Sequence, residues 1–201
     1  HGVRLITDNG GVIAFDLPEL MGQETWFTVS GHGYGVKADG FGYKGVRLRP
    51  EPGKKLTVTV DRRILAQRLG RLTGTGLFAE SHKLGEHLDW RDGPVAGCDS
   101  IVNARFGGKQ FWFWGDTNLS NYPLGIFNVS AATTADFVPP ARPPLKVRFD
   151  CFLNQKGVAR GVADVPGDAN AKIVAGFRWL MTRPPNPKEL ELLGEFHVQH
   201  N

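Results

Sequence analysis

Apolar and polar residues alternate most cleanly in Leu56-Thr57-Val58-Thr59-Val60, where Leu56, Val58 and Val60 share one face and the threonines the other. That period predicts a strand with one side against a core. Trp26-Phe27-Thr28-Val29 reads as another short strand by its aromatic and β-branched content. Val12, Ala14 and Leu17 follow an Asp8-Asn9-Gly10-Gly11 turn. Between residues 62 and 76 the pattern changes. Ile64, Leu65, Leu69 and Leu72 fall at helical spacing among arginines, which predicts a short amphipathic helix running into Thr73-Gly74-Thr75-Gly76. Beyond it, Lys109-Gln110-Phe111-Trp112-Phe113-Trp114 is the best strand, ending at Gly115-Asp116-Thr117-Asn118. Residues 146–153 form a second, with Val147, Phe149, Cys151 and Leu153 on one side and Arg148 and Asp150 on the other. The proline-rich stretches 138–144 and 183–187 read as polyproline connectors. The predicted organisation is a β-sandwich-like domain over residues 1–61, a helical joint over 62–76 and a second β-region over 77–201.

Composition supports that picture. The chain of 201 residues contains 26 Gly and 13 Pro, which favours many short strands joined by turns over long helices. At 41% hydrophobic it has enough apolar side chains for a core. The net charge of +4 comes from basic residues scattered among acids, so no nucleic-acid partner follows. No run reaches the roughly 20 apolar residues of a membrane span. Cys98 and Cys151 are the only cysteines, and one bridge or two free thiols are both open.

Several chemistries are excluded by missing motifs. There is no GxxxxGK[ST] loop, no strand–GxGxxG–helix unit and no GxSxG elbow. Glu86-His87 does not complete HExxH, and His82 and His87 stand five apart, off a common helical face, so neither metal nor cofactor is expected. Carboxylates remain. Asp99 precedes Ser100-Ile101-Val102, and Asp116 ends the aromatic strand. Two carboxylates at neighbouring strand ends beside Trp112 and Trp114 suit glycoside hydrolysis: one acid protonates the leaving oxygen, the other attacks or activates water, and the indoles stack on the sugar. The alternative is that Asp116 caps a turn and the aromatics fill a core.

Gly97-Cys98-Asp99-Ser100 and the following Phe111-Trp112-Phe113-Trp114-Gly115-Asp116-Thr117-Asn118 resemble the first blade of the five-bladed β-propeller hydrolases, the superfamily of β-fructosidases, levansucrases and arabinanases, and within it an endo-D-arabinanase-like bacterial branch. The resemblance covers roughly residues 73–180. It implies that Asp99 and Asp116 sit at a propeller axis as catalytic or sugar-binding carboxylates, with Trp112, Trp114, Ser100, Asn118, Arg148 and Asp150 as substrate contacts. A further acid from a later blade is usual in such enzymes, and the later candidates are Asp150, Asp164, Asp168, Glu189, Glu191 and Glu195. Thr7-Asp8-Asn9-Gly10 and Ser30-Gly31-His32-Gly33-Tyr34 resemble carboxypeptidase-regulatory-like (transthyretin-like) sandwiches. A complete propeller needs about 20 strands, so the chain looks truncated at both ends.

The expected fold is therefore all-β, a small β-sandwich followed by partial β-propeller blades. The expected function is glycoside hydrolysis on a polysaccharide or oligosaccharide, in an extracellular or periplasmic setting. The competing expectation is a non-catalytic glycan-binding or structural module of a larger exported bacterial protein. Asn118-Leu119-Ser120 and Asn128-Val129-Ser130 are glycosylation sequons, and Cys98 could pair with Cys151 because both lie in β segments.

Overall fold

The computed structural model describes residues 2–119, 122–126, 129–135, 143–154, 159, 167–181 and 183–200. The sequon at Asn128 and the acid Asp164 lie outside these residues, as does most of the 138–144 connector. The chain belongs to the all-β class, and its strands close no propeller. No described helix is long and apolar enough to cross a membrane.

The first region holds four short strands: β1 (Thr25–Thr28), β2 (Tyr34–Gly35), β3 (Gly45–Leu48) and β4 (Asp61–Arg62). β1 pairs antiparallel with β3, from Thr25↔Leu48 to Thr28↔Gly45, as the aromatic content around Trp26 predicts. β2 pairs with β4 through Tyr34↔Arg62 and Gly35↔Asp61. Two expectations fail here. Among the described residues Leu56–Val60 joins no ladder, and Leu56, Val58 and Val60 are all exposed. Alternation sets which face a strand would bury, but it does not supply the partner strand.

The helix expected within residues 62–76 does not form either, and Leu65 is 98% exposed. Its backbone is committed elsewhere. Arg63 N–H bonds Gly33 O at 2.7 Å, and Ile64 packs so closely on Gly33 that a Cβ there would lie 2.5 Å from Ile64 Cδ1. Gly70 and Gly74 hold φ of 152° and 127°, a conformation that interrupts any helix through Leu69 and Leu72.

Asp8 ties the start of the chain to the second region. Its Oδ1 accepts the Gly10 and Val12 N–H groups at 2.8 and 3.2 Å, closing the 8–11 turn, and its Oδ2 accepts Ser81 N–H at 2.7 Å. Burial pushes the Asp8 carboxyl up, but the N–H groups of Ser81, Val12 and Gly10 outweigh it and hold the group below the usual aspartate value. Asn9 N–H bonds Leu77 O at 2.8 Å, and its side chain exchanges two bonds with the Arg71 backbone. Hydrogen bonds therefore cross the joint expected between the two regions. Helix α1 (Ala79–Lys83) follows, beside a small cluster of Leu77, Phe78 and Trp90.

The second region is a bent antiparallel meander. Its strands are β5 (Val95–Cys98), β6 (Ile101–Phe106), β7 (Lys109–Trp114), β8 (Thr117–Leu119), β9 (Tyr122–Ile126), β10 (Ser130–Ala135) and β11 (Asp150–Cys151). One sheet runs β11-β10-β7-β6 and the other β5-β8-β9. β5–β6 and β7–β8 thus each bend from one sheet into the other, as strands do at the corner of a sandwich, and β9 and β10 extend the two sheets in the same order. Gly107 and Gly108, with φ of 55° and 74°, turn β6 into β7, because a two-residue hairpin with positive φ matches the strand twist. The core between the sheets gathers Val95, Trp112, Trp114, Leu119, Ala132 and Ala159, with Phe149 edge-on to both indoles at 5.4 and 5.1 Å.

Two helices close the chain, α2 (Ala169–Met181) and α3 (Pro187–His200), where further strands were expected. Their starts are capped. Asp168 Oδ1 accepts Ala171 N–H at 2.9 Å. At α3 the 183–187 stretch is a helix entry: Asn186 Oδ1 accepts Glu189 N–H while Glu189 Oε2 accepts Asn186 N–H, a reciprocal capping box with Pro187 at the first helical position. Arg183 completes it with two bonds of 2.8 Å to the Glu189 carboxylate.

Candidate functional site

The expected carboxylates meet at the bend of the meander. Cys98↔Thr117 on one side and Ile101↔Trp114 on the other share one register, so Asp99-Ser100 and Gly115-Asp116 face each other between them. Asp99 N–H bonds Gly115 O at 3.4 Å and Gly115 N–H bonds Ser100 O at 3.2 Å. Glycine suits this corner, since a Cβ at position 115 would lie 2.5 Å from Ser100 Oγ. Below it, Thr117 and Ser130 are fully buried and share a 2.6 Å hydroxyl bond, which fixes β8 against β10. Asp99, Ser100 and Asp116 are exposed above this floor.

The strand count makes Asp99 and Asp116 cross-strand neighbours. The ladder is irregular between these pairs, since Gly115 O accepts from Asp99 N–H while Gly115 N–H reaches Ser100 O, so the two aspartates lie on adjacent strands at the bend without forming a regular ladder pair. The Asp99 charge acts nearby as well: burial first, then this carboxylate, pushes the Cys98 thiol up. Asn118 is half-buried on β8, opposite Gly97, on the same edge of the bend.

The other expected contacts lie elsewhere. Trp112 is 6% exposed and Trp114 is fully buried, so the two indoles are core residues and offer no face to a sugar. The reason is the bend. Residues 112, 114 and 116 share a face only on a straight strand; here the chain turns at Gly115, Trp114 goes inward and Asp116 stands outside. Arg148 is held by Asp89, donating to its carbonyl at 2.7 Å and to its carboxylate at 3.1 Å, with its guanidinium 5.9 Å from the Trp90 ring centroid. Lys146 joins from the same extended segment, 2.9 Å from Asp89 Oδ1, and its bond holds the Asp89 carboxyl below the usual value. Asp150 is exposed on β11 opposite Thr133, two strands across and five residues along from Asp116, well over about 10 Å away. Of the later acids, Asp168 and Glu189 are engaged as helix caps, and Glu191 and Glu195 are exposed on α3.

Among the described residues no group of three or more His, Cys, Asp and Glu gathers as metal ligands would. Both cysteines are free thiols, the second of the two alternatives the sequence leaves open. Sequence reasoning missed the Asp8–Ser81 junction and the Asp89 clasp. Asp8 was legible only as a turn residue, and nothing in the pattern links residues 73 positions apart. His87 was likewise invisible: it holds a left-handed φ of 55°, its carbonyl accepts from His82 Nε2 at 3.0 Å, and its ring lies 4.7 Å from that of Phe78. Comparison with family models, curated proteins and solved structures returned no match for this chain.

Proposed function

We propose that the chain is a carbohydrate-active protein of the glycoside-hydrolase type, acting on a polysaccharide or oligosaccharide through Asp99 and Asp116. The observation that carries this reading is the placement of two exposed aspartates on adjacent strands at one bend, which supplies the acid pair such chemistry uses. In such chemistry one carboxyl protonates the glycosidic oxygen while the other attacks the anomeric carbon or activates water. Ser100 and Asn118 flank the pair as hydroxyl and amide partners for sugar hydroxyls. The sugar is held by polar groups at the bend, since neither indole is available for stacking. The setting is outside the cytoplasm, where polysaccharide substrates are met.

The test is reducing-sugar release by the purified chain from plant, algal and mycobacterial polysaccharides, beside Asp99→Asn and Asp116→Asn variants with unchanged melting temperature. Release that both substitutions abolish supports the reading, and the anomeric configuration of the first product by NMR tells a retaining from an inverting course. Release that survives either substitution removes that carboxylate from the mechanism. The burial of Trp112 and Trp114 favours a second reading, a module that binds glycan without cleaving it or serves architecture alone. Retarded migration in polysaccharide-containing gels without any sugar release would select the binding form.

A further inference from the structure

The segment from Lys54 to Val60 runs without a turn or bend, and every residue in it is exposed. Among the described residues, the backbone from Lys55 to Val60 makes no hydrogen bond, although β4 immediately after it pairs with β2. Leu56, Val58 and Val60 are 46%, 37% and 41% exposed. An unpaired strand edge carrying an apolar stripe is a template for another strand.

We propose that this edge pairs antiparallel with the same segment of a second copy of the chain, about a two-fold axis through Val58. The occupant follows from the order of charges. In that register Leu56 faces Val60 and Val58 faces Val58 on one side of the ribbon, while Thr57 faces Thr59 and Lys55 faces Asp61 on the other. Each dimer then gains the Lys55–Asp61 pair twice, with all six apolar side chains in one stripe. The neighbouring registers lack this match. A slip that sets Thr59 against itself places Asp61 opposite Thr57 and Arg62 opposite Leu56. A slip the other way sets Thr57 against itself, Lys55 opposite Thr59 and Lys54 opposite Val60. The chosen register also puts Lys54 opposite Arg62 at the ends of the ribbon, where both are exposed and water and salt screen their repulsion. Lys55 now sits 3.0 Å from Glu86 and Asp61 lies 3.4 Å from Arg63. All four groups are exposed, so these contacts are weak and leave both partners able to exchange. Pairing takes the edge that faces away from β2, which leaves Gly35↔Asp61 intact.

Sedimentation velocity across a concentration series, on the whole chain, tests the proposal. The expected result is a concentration-dependent dimer that Lys55→Glu weakens about tenfold, because two attractive pairs become repulsive. The exchange variant Lys55→Glu/Asp61→Lys restores the same pairs in reversed order and is expected to dimerise as the natural chain does. Val58→Pro removes a ladder N–H at the axis and is expected to be monomeric. Far-UV circular dichroism of each variant keeps misfolding apart from loss of pairing. A natural chain that stays monomeric overturns the proposal and leaves the edge to a foreign strand. A dimer that is indifferent to Lys55→Glu also overturns it, by assigning association to another surface such as the exposed edge strand β6.

Discussion

Replacing Asp8 by asparagine isolates the junction between the two regions. The carboxylate accepts three backbone N–H groups, from Gly10, Val12 and Ser81, and is only 9% exposed. Asparagine keeps one acceptor oxygen for Gly10 and Val12 but turns an NH2 toward Ser81 N–H, setting donor against donor. The Ser81 N–H then goes unpaired at a cost of about 1–3 kcal/mol, and the two remaining bonds lose their charged acceptor at about 1 kcal/mol each. Allowing for overlap between these terms, the expected loss is about 3 kcal/mol, roughly a hundredfold in the unfolding equilibrium constant. Urea unfolding followed by tryptophan fluorescence reads it directly. The pH dependence gives a second handle. Asp8 titrates lower in the folded protein than in the unfolded chain, so its contribution is complete above the unfolded value near about 4 and fades as pH falls through the folded one. The gap between the natural chain and the variant is therefore widest near neutrality and narrows in acid. A gap below about 0.5 kcal/mol at neutral pH, or one of equal size at about pH 6 and pH 2.5, refutes the assignment.

Three further outcomes are expected. Trp112→Phe breaks the 3.0 Å bond from Nε1 to Thr134 Oγ1, whereas Trp114 Nε1 is buried with no partner among the described residues, so Trp112→Phe is expected to lower stability by about 1 kcal/mol more than Trp114→Phe in paired urea titrations. Gly45→Ala is expected to cost more than about 2 kcal/mol, since its Cβ would lie 2.5 Å from Phe27 O and 2.6 Å from the Trp26 ring; a neutral melting shift would show that β1 and β3 can separate freely. Burial, with the Asp150 charge adding to it, pushes the Cys151 thiol up to about 11, so only about one molecule in a thousand carries the thiolate near pH 8. Iodoacetamide is expected to label it at least about a hundredfold more slowly in the native protein than in urea, where both cysteines titrate as free thiols.

The strands legible in the sequence were those whose pattern and neighbours agree. Lys109–Trp114 is apolar enough to be buried, ends at Gly115, and meets a Gly107-Gly108 hairpin that brings it a partner. Of the strand expected over residues 146–153 only Asp150–Cys151 forms, although burial alternates through it, with Val147 buried, Arg148 and Asp150 exposed, and Leu153 exposed against expectation. Leu56–Val60 has a sharper period than either and joins no ladder, because period decides which faces match and says nothing of whether a partner exists. Leu65, Leu69 and Leu72 have helical spacing, but glycines at 70 and 74 and the Arg63–Gly33 bond decide the backbone first. The helices at the end of the chain were hidden by the proline cluster, whose last member opens α3 where it was read as part of a connector.

At the candidate site the same corner explains what was legible and what was not. Asp116 could be picked out because it follows Gly115 at the end of the aromatic strand, and Asp99 because it stands in Gly97-Cys98-Asp99-Ser100 just before the apolar Ile101-Val102, both places where a chain changes direction and polar side chains reach water. Trp112 and Trp114 were assigned to that surface by extending strand alternation through residue 116. Alternation holds only while the strand stays straight, and the turn at Gly115 reverses the outcome for the residues beyond it. The indoles and the carboxylates are therefore separate in their physics. Substitutions at 112 and 114 empty a core and act on stability, whereas substitutions at the two exposed aspartates leave that core packed. A variant at Asp99 or Asp116 that keeps the melting temperature while losing sugar release would mark these residues as working parts of the site. One that lowers both would return them to the role of turn caps.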